Sequence, residues 1–137
     1  MNRIRLHHVG IVLPCRERME EFLKIFNFAI DREEYVAAYH AQCVFTRHND
    51  NETSLEFVLP DSGVLCDYNG GKGGIHHIAL EVDDVEAVRR EYEADGRKML
   101  EEAAVPGACG IIVNFLRPRY GAGILVEFVQ RLHANSV

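Results

Sequence analysis

The sequence predicts an α+β fold of two tandem βαβββ modules whose strands form a curled mixed sheet around a cavity. Three observations carry this. First, the chain repeats itself: "LHHVGIVL" (Leu6–Leu13) returns as "IHHIALEV" (Ile75–Val82), and "SLEFVL" (Ser54–Leu59) returns as "LVEFVQ" (Leu125–Gln130). Second, the offsets agree, being 69 residues from position 8 to 77 and 71 from position 56 to 127. Third, each His-containing segment alternates like a half-buried strand and runs into a helical pattern.

The elements follow in order. Residues 6–13 alternate with period two, which predicts the first strand. Met19, Phe22, Leu23 and Phe26 then fall on one stripe of a helix. "AAYHAQCVFT" and "SLEFVL" are β-rich and are separated by the turn-forming "RHNDNE". "PDSGVLCDYNGG" has no clear helical pattern, and the Gly-rich "NGGKGG" (Asn69–Gly74) marks the boundary between the halves. In the second half, Val85, Val88 and Tyr92 make the helical stripe. Asp83 with Glu86 resembles a capping box, and Gly96 is placed to end the helix. "CGIIVNFL" and "LVEFVQ" supply the closing strands, separated by "RPRYGAG". The length of 137 residues fits one domain, 1–137, with repeats at 4–68 and 75–132.

Composition narrows the function classes. A net charge of −6 and a pI near 5.6 remove the excess positive charge that nucleic-acid binding requires. No run of about 18 apolar residues is present, so no membrane span is expected. The N-terminal segment enters a strand pattern with no long apolar stretch or cleavage site. Cys15, Cys43, Cys66 and Cys109 form no Cys-x-x-Cys pair, and four reduced thiols in the cytoplasm are expected.

Strand alternation selects the candidate site. His7, Val9, Ile11 and Leu13 point one way and His8, Gly10 and Val12 the other. The more apolar set should face the helices, which leaves His8 on the open face. The same count places His77, Ala79 and Glu81 there, with Glu56 and Glu127 opposite the apolar residues of the closing strands. Mid-strand carboxylates are costly to bury unless a cation compensates them. One divalent ion bound by His8, Glu56, His77 and Glu127 would satisfy all four. Mixed nitrogen and oxygen ligation suits Co, Ni, Zn, Mn or Fe and leaves the metal's identity open. His7 and His76 fall on the helix side and are expected to be structural or to support the ligands. His40, His48 and His133 have no repeat partners and are read as surface groups. Such a site closes either within one chain or across a homodimer.

The chain resembles the vicinal oxygen chelate superfamily, the glyoxalase, bleomycin resistance and dioxygenase fold of paired βαβββ modules, over nearly its whole length. "HHVGIVLP", "GGIHHIALEVDDVEAV", "PGACG", "NFLRP" and "GILVEFVQ" are most similar to methylmalonyl-CoA epimerases. The resemblance puts the family's metal-binding His, Glu or Gln, His and Glu on His8, Glu56, His77 and Glu127. It implies a metal-dependent isomerase in which proton transfer at an acyl thioester passes through an enolate, with Glu127 as the candidate proton carrier. The implied partner is a small molecule, an acyl-CoA or other thioester. The resemblance also has departures. Some epimerases carry a second glutamate on the strand before the first metal-binding Glu, where "HAQCVF" has no carboxylate, and Arg117 stands where His is common.

A glyoxalase I-like lactoylglutathione lyase is the alternative, since the same ligand set serves both reactions. An extradiol dioxygenase fits less well, because Glu56 would fill a position needed for oxygen or substrate. A metal-free binding protein would have no need of the four ligands. Arg47, Lys72, Arg117 and Arg119 are read as solvated loop charges.

Overall fold

The computed structural model describes residues 1–137. The elements are β1 (Arg3–Val12), α1 (Arg16–Phe26), β2 (Ile30–Val36), β3 (Ala41–Thr46), β4 (Ser54–Pro60), β5 (Gly74–Val82), α2 (Val85–Ala94), β6 (Val105–Pro106), β7 (Ile111–Leu116) and β8 (Val126–Arg131). Each half therefore runs βαβββ, as the repeat predicts. The chain divides into two compact units, one of His8–His76 and the other of His77–Val137 with Met1–His7. The division falls inside β1, whose first residues belong with the later half.

In the first unit the strand order is β2-β3-β4-β1. β1 runs parallel to β4, with Gly10 opposite Glu56, and the other neighbours are antiparallel. Met19 and Leu23 of α1 pack on Val44 and Phe57, flanked by Ile11, Leu13, Leu55 and Leu59. The apolar set of β1 and β4 thus faces the helix, as alternation requires. Phe26 departs from the predicted stripe: it is 59% exposed and touches its own helix neighbour Phe22. The helix ends immediately after it, at Asn27 in the left-handed region, so no further turn covers that ring.

The second unit repeats the pattern with order β5-β8-β7-β6. β5 is parallel to β8, with Ala79 opposite Glu127. Val85 and Val88 of α2 pack with Val82, Met99, Leu116 and Phe128, and Tyr92 lies against this cluster. The capping residue is Asp84 rather than Asp83, since Asp84 accepts from the Ala87 amide at 3.0 Å. Glu86 does not reach back to close a box. Its carboxylate accepts from the Ala104 amide and from Arg89. Gly96, at φ 78°, follows the helix end as expected.

Between the halves, Val64–Gly71 forms short 3-10 turns interrupted at Tyr68, Asn69 and Gly70, consistent with the absence of a helical pattern. Gly73 then passes so close to β1 that a Cβ on it would lie 2.1 Å from the Val12 carbonyl oxygen. Only glycine fits that approach. No helix is long and apolar enough to cross a membrane.

Candidate metal centre

Each unit buries one His–Glu pair on the sheet face opposite its helix. In the first, His8 is fully buried and Glu56 is 6% exposed, with His8 Nε2 at 3.4 Å from Glu56 Oε1. In the second, His77 and Glu127 are 4% and 5% exposed, with Nε2 to Oε1 at 3.8 Å. The register explains the pairing. Glu56 stands opposite Gly10, two residues beyond His8, and Glu127 stands opposite Ala79, two residues beyond His77. Residues two apart share a strand face, so each imidazole lies beside its carboxylate.

These separations exceed the usual hydrogen-bond length of about 2.7–3.2 Å. They suit donors on a common ion. Two ligands each about 2.1 Å from a cation stand about 3.4 Å apart at the tetrahedral angle, and farther apart as the angle opens. The donor chemistry agrees: neutral imidazole nitrogen with carboxylate oxygen, buried where a carboxylate needs positive charge nearby.

Each pair has an aromatic neighbour that the sequence reading did not single out. Phe45 meets His8 edge to face at 5.3 Å and 87°, and Phe115 meets His77 at 5.3 Å and 88°. Phe45 stands directly opposite Glu56 and Phe115 directly opposite Glu127. A signal was present, because Phe115 follows Phe45 by 70 residues (positions 45 to 115), matching the offsets of the ligands.

The remaining candidates separate cleanly. Glu81 shares the face of His77, but Arg5 Nε donates to it at 2.9 Å, so its charge is already compensated. His7 is buried and its Nε2 lies 2.8 Å from the Val137 carbonyl oxygen, while His76 rests against the Tyr68 ring at 4.7 Å. His40, His48 and His133 are exposed, as are Arg47, Lys72, Arg117 and Arg119.

A family model described as the Glyoxalase/Bleomycin resistance protein/Dioxygenase superfamily matches residues 7–115. The chain belongs to this superfamily. Among its relatives, human mitochondrial methylmalonyl-CoA epimerase is 32% identical over 131 residues, covering 92% of this chain and 73% of that protein. The ethylmalonyl-CoA/methylmalonyl-CoA epimerase of Cereibacter sphaeroides is 27% identical over 130 residues, covering 92% and 97%. A structure of a Streptomyces coelicolor methylmalonyl-CoA epimerase variant, in complex with 2-nitronate-propionyl-CoA, matches with a TM-score of 0.85 at 25% identity, covering 96% and 100%. The superfamily and the epimerase likeness read from the motifs therefore both hold, and the paired modules are the vicinal oxygen chelate fold.

Proposed function

We propose that this protein is a metal-dependent epimerase of the methylmalonyl-CoA type, in which His8, Glu56, His77 and Glu127 hold one divalent cation. The observation that carries the reading is the duplicated buried His–Glu pair, set by the same strand register in both units. The curated relatives named above support the acyl-thioester substrate class. The cation is one of Co, Ni, Zn, Mn or Fe by donor type. When bound, it supplies Lewis acidity toward the substrate's oxygens, so that negative charge is stabilised there as the α-proton leaves.

The protein's own groups supply the rest. The α-carbon of a 2-carboxyacyl thioester lies between two carbonyls, which makes its proton labile enough for a carboxylate base. Glu127 is the proposed base on one face of the α-carbon, taking that proton on an oxygen; inversion is completed by a proton delivered to the opposite face from a second donor. In each unit a buried ring, Phe45 beside His8 and Phe115 beside His77, keeps the surroundings of that unit's pair apolar and strengthens electrostatic interactions there. The separate cysteines, with Cys15 and Cys66 exposed and unbridged, fit a reducing cytoplasmic setting.

The test is solvent exchange. Cobalt-loaded protein with methylmalonyl-CoA in D2O should wash deuterium into the α-position and interconvert the two epimers. Glu127→Gln should slow that exchange by about 100-fold or more. Absence of exchange on any acyl-CoA ester, with turnover of the methylglyoxal–glutathione adduct instead, would replace this reading with the lyase. Full turnover by Glu127→Gln would remove its role as base.

A further inference from the structure

We infer that Phe45 and Phe115 are positioning residues that hold His8 and His77 in the orientation metal binding needs; the inference rests on the metal reading above. The geometry is duplicated in the two units. In each unit the ring stands opposite the glutamate of the pair and meets that unit's imidazole at 5.3 Å, with interplanar angles of 87° and 88°. The helix-side cores are duplicated too, Phe57 and Phe128 each meeting a helix aromatic edge to face, Phe22 at 5.4 Å and Tyr92 at 5.6 Å. What sets Phe45 and Phe115 apart is the partner: each packs on the imidazole of a His–Glu pair rather than on apolar core.

The physical reason lies in the imidazole. Its terminal torsion is broad, so a histidine on a strand can turn Nε2 away from a neighbouring carboxylate at little cost. An aromatic ring packed edge to face removes that freedom, because rotation of the imidazole would drive it into the ring. Nε2 is the atom turned toward the glutamate in both pairs, and the phenylalanines hold it there. Phe45 is 1% exposed and Phe115 6%, so both rings are themselves fixed by their surroundings. Ligand orientation is set before the ion arrives, which lowers the ordering cost of binding.

The test uses Co2+ and metal-stripped full-length protein. Phe45→Leu and Phe115→Leu remove the rings, Phe115→Met does so with a more adaptable side chain, and Phe115→Tyr keeps the ring. Affinity and the visible d–d spectrum of bound Co2+ are read alongside the urea midpoint of each metal-free protein. The expected result is at least about tenfold weaker binding and a shifted spectrum for the ring-removing variants, the scale of lost ligand support. Phe115→Tyr should stay near wild type. Wild-type affinity and spectrum in the Leu and Met variants would overturn the inference while leaving the metal site standing. So would losses that merely follow each variant's metal-free stability, or a Phe115→Tyr protein as impaired as Phe115→Leu. Failure of wild-type protein to bind Co2+ would remove the metal reading and this inference together.

Discussion

Replacing Gly73 with alanine should destabilise the protein far more than the same change three residues earlier. At Gly73, φ is +74° and the new methyl would stand 2.1 Å from the Val12 carbonyl oxygen, 3.0 Å from its carbon and 3.2 Å from Leu13 Cα. All three are backbone atoms, so no rotamer change can make room. Gly70 has φ +65° and nothing within 4 Å, so it carries the conformational cost without the collision. A left-handed backbone costs a residue with a Cβ about 1–2 kcal/mol. Forcing a methyl into filled space adds about 1–3 kcal/mol. The expected totals are thus about 1–2 kcal/mol for Gly70→Ala and about 2–5 kcal/mol for Gly73→Ala. With an unfolding entropy of about 2.1 cal/mol/K per residue over this chain, these become Tm losses of about 3–7 °C and about 7–17 °C. Thermal melts of the metal-free proteins by circular dichroism measure both. Equal losses for the two variants would show that β1 does not hold its end against the loop. That strand carries His8, so the same approach bears on the site.

Two further predictions concern α2. Asp84→Ala should cost about 1 kcal/mol through loss of the bond to the Ala87 amide, while Asp83→Ala should change little; equal effects in urea denaturation would contradict the observed cap. The second is pH-dependent. Hydrogen bonds from the Ala104 amide and Arg89 hold the Glu86 carboxyl below its usual value. Its folded pKa is depressed, so its contribution is fully present above the unfolded value of about 4.3 and is lost as pH falls through the folded value. Wild type should therefore lose its advantage over Glu86→Gln on acidification below that point, and an unchanging difference in unfolding free energy would refute the assignment.

The parts of this protein that could be read from sequence are those where period and repeat reinforce each other. His8, Glu56, His77 and Glu127 are visible because a polar residue on an alternating apolar strand is conspicuous, and because each type recurs at nearly the same offset, 69 and 71 residues. Ile11, Leu80, Phe57 and Phe128 fell on the helix side for the same reason. Phe45 and Phe115 share the offset but are apolar, and an apolar residue on a strand reads as ordinary core. Whether it faces a helix or an imidazole depends on register between strands distant in sequence. The cap of α2 was misplaced by one residue because Asp83 and Asp84 are chemically equal as caps, and the choice falls to where the strand lets the chain turn. Phe26 fits the helical stripe, but the stripe does not reveal that the helix ends before anything covers the ring.

The two His–Glu pairs are proposed to serve a single ion. Equilibrium dialysis of metal-stripped protein against Co2+, with elemental analysis of the bound metal, tests it directly in wild type, His8→Ala and His77→Ala. A single equivalent per chain is expected in wild type, with collapse of that same site when either histidine is removed. A second equivalent of comparable affinity, or a His8→Ala protein that still binds one ion at wild-type affinity, would mean that each pair acts alone.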